Sequence, residues 1–507
     1  MNKLIKFLLA GVIVVLAFPN LQAEHLIVIS ANDTHSQIEP SGDNLGGVFR
    51  RRAAFDEIRR NNKNVLAVHA GDAVQGTLYF SMFKGDIEYA LIDSLGYDMI
   101  ILGNHEFDNG IDDLASYYKN IKAVKLSANY DFSNTPLADV FQPYSIRTVD
   151  GKRIGFFGMN VNPKGLISDD KYKGMVYLDN AKVADATAKY LKEVQDVDFT
   201  VMISHIGYYP EAVGLVGDSI IATRSHYIDM IIGGHTHTLL EPGDPRTQVK
   251  NADGKIITIG QNGKSGKYVA TYDIDLDDFS VKYDQIKLDN TYDAKADYPE
   301  MRAWLAPYKF KVDSVMNNVL GTSARSMKSG KIASQNWLCD AVMEMLPSIS
   351  GIKKIDGVIM NKGGIRQSMP KGNVTEGLIG SMFPFDNRFV IVEVKGSDLL
   401  EALRVMATRG GDALSKEFYV EYKGENENAN IVTAKLNGKK INPNKTYLIG
   451  TIDYLANGGD HMDALGVGSR PFVDTVPYGE HMKSYIKQLT LSGRVVDATD
   501  DARMVKK

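Results

Sequence analysis

The stretch MIILGNHEFD, residues 99–108, carries an apolar, β-branched run straight into Gly103, Asn104, His105 and Asp108. A continuous apolar run of this length reads as a buried strand, and the carboxyl end of such a strand is where an α/β sheet presents side chains to a ligand. Outward on the N-terminal side, VLAVHAGD (65–72) ends on Asp72, and HLIVISANDTH (25–35) ends on Asp33 and His35. Outward on the C-terminal side, FTVMISHIG (199–207) reaches His205, and IDMIIGGHTH (228–237) reaches His235 and His237. Helical periodicity falls between these runs, at 47–61, 86–95, 181–194 and 210–222. Alternation of this kind predicts an α/β layered sheet whose chemistry is assembled from loop ends.

The residue types narrow that chemistry. Asp33 and His35 lie two apart, as do His235 and His237, so on an extended segment each pair leaves one face and can bind one ion. Asp72 can bridge two ions through its two carboxylate oxygens, and Asn104 adds a neutral amide oxygen. An imidazole-rich N/O set without thiolates suits Zn, Mn, Fe or Co better than Ca or Mg. Two such ions a few ångströms apart lower the pKa of a shared water and clamp both oxygens of an in-line phosphoryl displacement. Phosphate ester hydrolysis is the reaction class this predicts. His105 adjoins the ligand Asn104, and neighbouring residues on one turn do not readily serve the same ion, which leaves His105 to face the substrate.

The motifs NDTH, AGD, GNHEFD, SHIG and GGHTH resemble the metallophosphoesterase signature in the variant carried by the secreted bacterial 5'-nucleotidase family. The resemblance extends to NKGGIR (361–366), FPFDN (383–387) and YLANGGD (454–460), and so spans nearly all of the mature chain. It implies a four-layer α/β/β/α sandwich followed by a second α/β nucleotide-binding domain. It makes His105 and Asp108 a catalytic dyad, with Asp108 holding the imidazole while His105 stabilises the phosphoryl transition state and helps protonate the leaving alkoxide. It also implies that Phe385 and Tyr454 sandwich the base, that Asp460 accepts from ribose hydroxyls, and that Asn361 and Asn387 touch the nucleoside. The glycines of NKGGIR let backbone approach a ligand, and Arg366 offers a bidentate fork to a phosphate or ribose-linked oxygen.

Two departures from the family pattern stand out. Where relatives carry an Arg-containing loop before a Glu-Ser and Leu-Gly-Asn run, this chain reads SARSMKSGKIASQNWLCDAV, so Arg325 or Lys328 is the expected replacement. FPFDN has Asp386 where glycine is usual, which brings charge and bulk to the base pocket.

Composition sets the surroundings. Lys3 and Lys6 precede an apolar run from Phe7 to Phe18, Pro19 and Asn20 break it, and Ala23 precedes Glu24, a signal-peptide pattern with cleavage after Ala23. The run is short for a membrane span, no Cys follows it to take a lipid, and the terminal DARMVKK is no anchor signal, so the expectation is a periplasmic or secreted enzyme without a stable membrane anchor. The net charge of −4 becomes −6 when Lys3 and Lys6 leave, which argues against a nucleic-acid partner. The basic run Arg50, Arg51, Arg52 with Arg59 and Arg60 is interleaved with Asp56 and Glu57 and reads as a solvated helix face. Cys339 reads as a buried small hydrophobe. His69 is expected to pack on its strand, and His25, His226, His461 and His481 show no ligand spacing.

The expected divisions are a signal peptide at 1–23, a catalytic domain at 24–293 closed by period-two strands in 255–290 that finish its second sheet, a linker helix at 294–328, and a substrate-binding domain at 329–507. The leading function is release of phosphate from nucleoside 5'-monophosphates by a two-metal site. The resemblance also admits 2',3'-cyclic-nucleotide phosphodiesterase or nucleotide-sugar and dinucleotide pyrophosphohydrolase activity. A non-catalytic nucleotide-binding surface protein on the same scaffold would lack a ligand or the dyad, and this sequence lacks neither.

Overall fold

A computed structural model describes residues 24–210 and 216–507, so the expected signal segment and part of the expected helix 210–222 lie outside it. The first half contains two six-stranded sheets packed face to face. One orders its strands Val281–Lys287, Tyr268–Asp275, His25–Ala31, Val65–Ala70, Met99–Ile101 and Val124–Lys125. The other runs Gln248–Lys250, Ile256–Gly260, Met230–Ile232, Phe199–His205, Lys152–Asn160 and Tyr144–Val149.

Side-chain alternation along the strands builds the layers. In His25–Ala31, Leu26 and Val28 enter the core between the sheets with Phe156, Val201 and Ile203. Ile27, Ile29 and Ala31 face the opposite way, onto Phe55 and Ile58 of the helix Val48–Asn61 and onto the helix Asp86–Leu95. On the outer face of the second sheet, Phe157, Met202 and Ile231 pack under Ala184, Ala188 and Leu191 of the helix Asn180–Glu193. The result is the four-layer α/β/β/α sandwich that the family resemblance implies.

Three local expectations change. Only Ile256–Gly260 joins the second sheet; Tyr268–Asp275 pairs antiparallel with His25–Ala31, and Val281–Lys287 pairs with Tyr268–Asp275. The free edge of His25–Ala31 needs a partner, and Ala270, Tyr272 and Ile274 fill the layer between the sheets from that side. The last described helix before residue 225 runs Asp218–Arg224, because Gly217 is extended and Asp218 supplies the acidic first turn. Finally, Arg50 and Arg51 are buried rather than solvated: Arg50 pairs with Asp293 at 2.6 Å and donates to the Asn44 carbonyl at 2.7 Å, while Arg51 lies against Gly266. The segment returning from the last strand covers that helix face, which periodicity within one helix cannot foresee.

The helix Pro299–Met316 connects the halves, with Leu305 and Val312 in the first core. Beyond it, Val319–Ser323 pairs with Gly372–Thr375, and Leu320 already belongs to a second core. That core surrounds a five-stranded sheet ordered Ala413–Leu414, Gly357–Met360, Thr446–Ile452, Arg388–Lys395 and Phe472–Pro477. Cys339 is buried in it, in the helix Ile332–Ser350. No helix among the described residues is long and apolar enough to cross a membrane.

The two sheets approach closely at Gly158, where an added Cβ would lie 2.5 Å from the Leu126 carbonyl oxygen and 2.8 Å from Ile101. Gly158→Ala is therefore expected to cost about 1–3 kcal/mol of stability, the usual range for overpacking, read as a lower urea midpoint. An unchanged midpoint would contradict this contact.

Candidate active site

All five motif strands end at one rim, and the chain turns sharply there. Asp33, His35, Asp72, His235 and His237 have φ of 48°, 46°, 55°, 80° and 53°, in the left-handed region that non-glycine residues avoid. The two pairs therefore do not lie on extended segments. The strands stop at Ala31 and Ile232, and left-handed turns, not strand alternation, swing the side chains inward. Strain of this kind persists only where surrounding contacts hold it. Here Asp33 accepts from the Asn32 amide at 2.6 Å and from the His235 N–H at 3.0 Å, and the His105 N–H donates to Asp72 at 2.9 Å.

The side chains converge in overlapping clusters: Asp33, His35 and His237; His35, Asp72 and His105; and Asp72, His205 and His235. His35 Nε2 and His237 Nε2 are 2.9 Å apart, and Asp72 Oδ2 is 3.2 Å from His205 Nε2. The remote ring nitrogen of His205 lies 2.6 Å from the Ala70 carbonyl, which aims Nε2 at the centre. Burial is the largest single influence on Asp33 and Asp72 and opposes their ionisation, but His205 together with His237 at Asp33, and with His105 and His35 at Asp72, exceeds it in sum. Both carboxyl groups are held well below the usual range. Burial keeps His35 and His237 below the ordinary histidine value, the neutral form a metal requires. Asn104 Oδ1 is buried and has no hydrogen-bond partner among the described residues. An orphaned acceptor beside paired carboxylates and imidazoles fits divalent transition metals.

His105 Nδ1 faces Asp108 at 3.1 Å. Burial disfavours the imidazolium, yet Asp108 and Asp72 outweigh burial and raise its pKa. His69 packs edge-to-face on Tyr97 and meets Thr34 at 3.1 Å, beneath the NDTH turn.

A cleft of about 780 Å³ joins this cluster to the second half of the chain. Asn361, Arg366, Phe385, Asn387, Tyr454 and Asp460 line its far wall. The Phe385 ring is 5.9 Å from that of His105, with the Arg366 guanidinium 5.9 Å from Phe385. Asp460 receives hydrogen bonds from Asn361 at 2.9 Å and from the Tyr454 hydroxyl at 3.0 Å. Asp386 reaches across to Lys84 at 3.0 Å, so the charge that replaces glycine is met by a cation from the first half. Arg325 is not in the cleft: it bonds the Ala498 carbonyl and Asp500, because the C-terminal segment folds over its loop.

Sequence reasoning missed three residues. Glu106 accepts the N–H groups of Asp72 at 3.1 Å, Ala73 at 2.8 Å and Gly103 at 2.6 Å, tying together the loops that carry Asp72 and Asn104. Arg409 lines the cleft from the turn after the helix Gly396–Thr408, and His461, set aside for want of ligand spacing, lines it too. The triad Arg409-Gly410-Gly411 was the available signal for the first of these two, and the adjacency of His461 to Asp460 for the second.

A profile of calcineurin-like phosphoesterases matches residues 28–239, and one of the 5'-nucleotidase C-terminal domain matches 311–466. A 5'-nucleotidase of Rattus norvegicus is 27% identical over 438 residues, covering 78% of this chain and 74% of that protein. The trifunctional nucleotide phosphoesterase YfkN of Bacillus subtilis is 26% identical over 488 residues, 86% of this chain but 32% of the relative. The crystal structure of a 5'-nucleotidase precursor from Thermus thermophilus superposes with a TM-score of 0.84 at 27% identity, covering 95% of this chain and 99% of the other.

Because Asp72 belongs to two of the clusters, Asp72→Asn should lower turnover more than alanine at His235 or His237, each of which belongs to one. A mutant with full metal content and near-normal turnover would remove Asp72 from the bridging position. His105→Ala should lower kcat while leaving KM and bound metal nearly constant, the pattern of a group acting only in the transition state. Loss of metal in that mutant would make His105 a ligand.

Proposed function

Because the chain belongs to the calcineurin-like phosphoesterases that carry a 5'-nucleotidase C-terminal domain, and is thereby a metal-dependent phosphoric ester hydrolase, we propose that it removes phosphate from nucleoside 5'-monophosphates outside the cytoplasm. One observation carries this reading: the metal-type cluster and the Phe385, Tyr454 and Asp460 wall face each other across a single cleft. The charged and apolar segment at 1–23 supports export.

Asp33, His35, Asp72 and His237 would hold one divalent ion, and Asp72, Asn104, His205 and His235 the other. Bound there, the ions supply Lewis acidity to the phosphoryl group. The chain's own residues do the rest. Phe385 and Tyr454 grip the base between aromatic faces, Asp460 accepts from the ribose hydroxyls, and Arg366 faces the phosphate end of the cleft. His105, with its Nδ1 side held by Asp108, brings a proton to the departing 5'-oxygen as the ester bond breaks.

Purified mature protein, assayed for phosphate release from a panel of mono-, di-, cyclic and sugar nucleotides with metals varied, tests the proposal. Highest kcat/KM on a nucleoside 5'-monophosphate, abolished by chelation and restored by Mn or Zn, is the expected result. Preference for cyclic or sugar nucleotides would replace it.

The aromatic pair separates nucleotide recognition from general phosphatase activity. Phe385→Ala and Tyr454→Ala should each weaken AMP binding by about 1–3 kcal/mol, the scale of one stacked base, with a much smaller loss on a small aryl phosphate. Each ring has a second contact, Phe385 with His105 and the Tyr454 hydroxyl with Asp460, so the aryl phosphate is the control for both variants. Equal losses on both substrates would make these rings packing residues.

A further inference from the structure

We propose that Arg409 is the positioning residue of the nucleoside half-site, holding Asp460 in the backbone conformation that presents its carboxylate to the ribose diol. This rests on the reading of Asp460 given above.

Asp460 has φ 54° and ψ 31°, a left-handed conformation disfavoured for residues with a Cβ, though less so for Asp than for most, and here it is stabilised by its surroundings. Five contacts hold it. Its N–H is shared between the Gly165 carbonyl of the catalytic half at 2.7 Å and the Tyr454 hydroxyl oxygen at 3.2 Å, and its carbonyl accepts from Arg409 Nη1. The carboxylate oxygens accept from Asn361 Nδ2 at 2.9 Å and from the Tyr454 hydroxyl at 3.0 Å. Each oxygen retains a second lone pair for a ligand hydroxyl. Of these contacts, Arg409 alone brings a full charge: its Nη1 also lies 3.9 Å from Asp460 Oδ2.

Arg409 is itself fixed from both ends. Nη2 donates to Asp412 Oδ2 at 3.0 Å, and buried Asp412 also accepts from the N–H groups of Lys362 and Ala413. Lys362 Nζ donates at 2.8 Å to the carbonyls of Arg409 and Gly411, closing the turn. One side chain must therefore bridge a main-chain carbonyl and a carboxylate at once. A planar guanidinium does this with two forked donors, and an ammonium does not. The 325–328 loop contributes no cation to the cleft, since Arg325 is bound to Asp500 and Lys328 is exposed. Arg409 supplies the positive group at the sugar end, as Arg366 does at the phosphate end.

The test compares adenosine 5'-phosphate with 2',3'-dideoxyadenosine 5'-phosphate in the metal-loaded full-length wild type, Arg409→Ala, Arg409→Lys and Asp460→Asn. The quantity read is the ratio of kcat/KM for the two substrates. Arg409→Ala should lower kcat/KM for the ribonucleotide by about tenfold, the scale of one charge-assisted hydrogen bond, chiefly through KM, and collapse the ratio toward one. Arg409→Lys should fall between, and it carries the comparison if the alanine variant shows no folding transition. Equal losses on both substrates, or a preserved ratio in both Arg409 variants, overturn the inference. If Asp460→Asn also preserves the ratio, the ribose reading of Asp460 falls with it; if Asp460→Asn abolishes the ratio, only the role of Arg409 falls.

Discussion

Asp33 and Asp72 lie almost wholly out of solvent within one cluster, and the arrangement around them follows from the cost of burying two carboxylates side by side. Charge of that kind survives burial only with compensating partners. Imidazoles from His35, His205, His235 and His237 crowd around them, and backbone N–H groups donate directly to the oxygens. To deliver those partners from separate strands, the chain turns left-handed at Asp33, His35, Asp72, His235 and His237, while His205 comes from the last residue of its own strand. Glycine is needed where a turn passes closest: a Cβ at Gly103 would collide with the Asp72 carboxylate. Glu106 then ties the AGD and GNHEFD turns together through three amides, although burial and the neighbouring Asp72 push its own pKa up to about 7.

The sandwich beneath supplies rigidity. Its three apolar layers leave the strands no freedom to slide, so the rim is a fixed platform on which strained turns can persist. The second half is built around an independent core and contributes a wall rather than a ligand cluster. The two walls are joined by the Asp460 N–H to the Gly165 carbonyl, by Leu78 packed against Gly380, and by the exposed pair Lys84 and Asp386. Exposed pairs of the latter kind contribute little stability, about 0–1 kcal/mol, so the cleft is held mainly by close backbone contact and by the connecting helix Pro299–Met316.

Much of the sandwich and the cluster was legible in the residues themselves. A buried strand has to be apolar throughout, so HLIVISA, VLAVHA, FTVMISH and the two MII strands announce themselves, and the polar residues that follow each can only sit at the rim. Ligand-type residues are chemically restricted and therefore visible. What misled was local: Arg50 and Arg51 look solvated on a helical wheel, and Asp33 and His35 look extended from their spacing.

Those points were decided by contacts between segments far apart in the chain. Arg50 is buried because Asp293, some two hundred and forty residues on, returns to cover it. Arg325 leaves the cleft because Asp500 binds it, and Arg409 enters because Asp412 and Asp460 converge on its fork. By itself the sequence determined which strands form, which residue types meet at their ends and what class of ion they suit, because periodicity and donor chemistry are local properties. Tertiary structure decided which cations face the cleft and how each ligand reaches the centre, because a charged side chain goes where a partner can satisfy it.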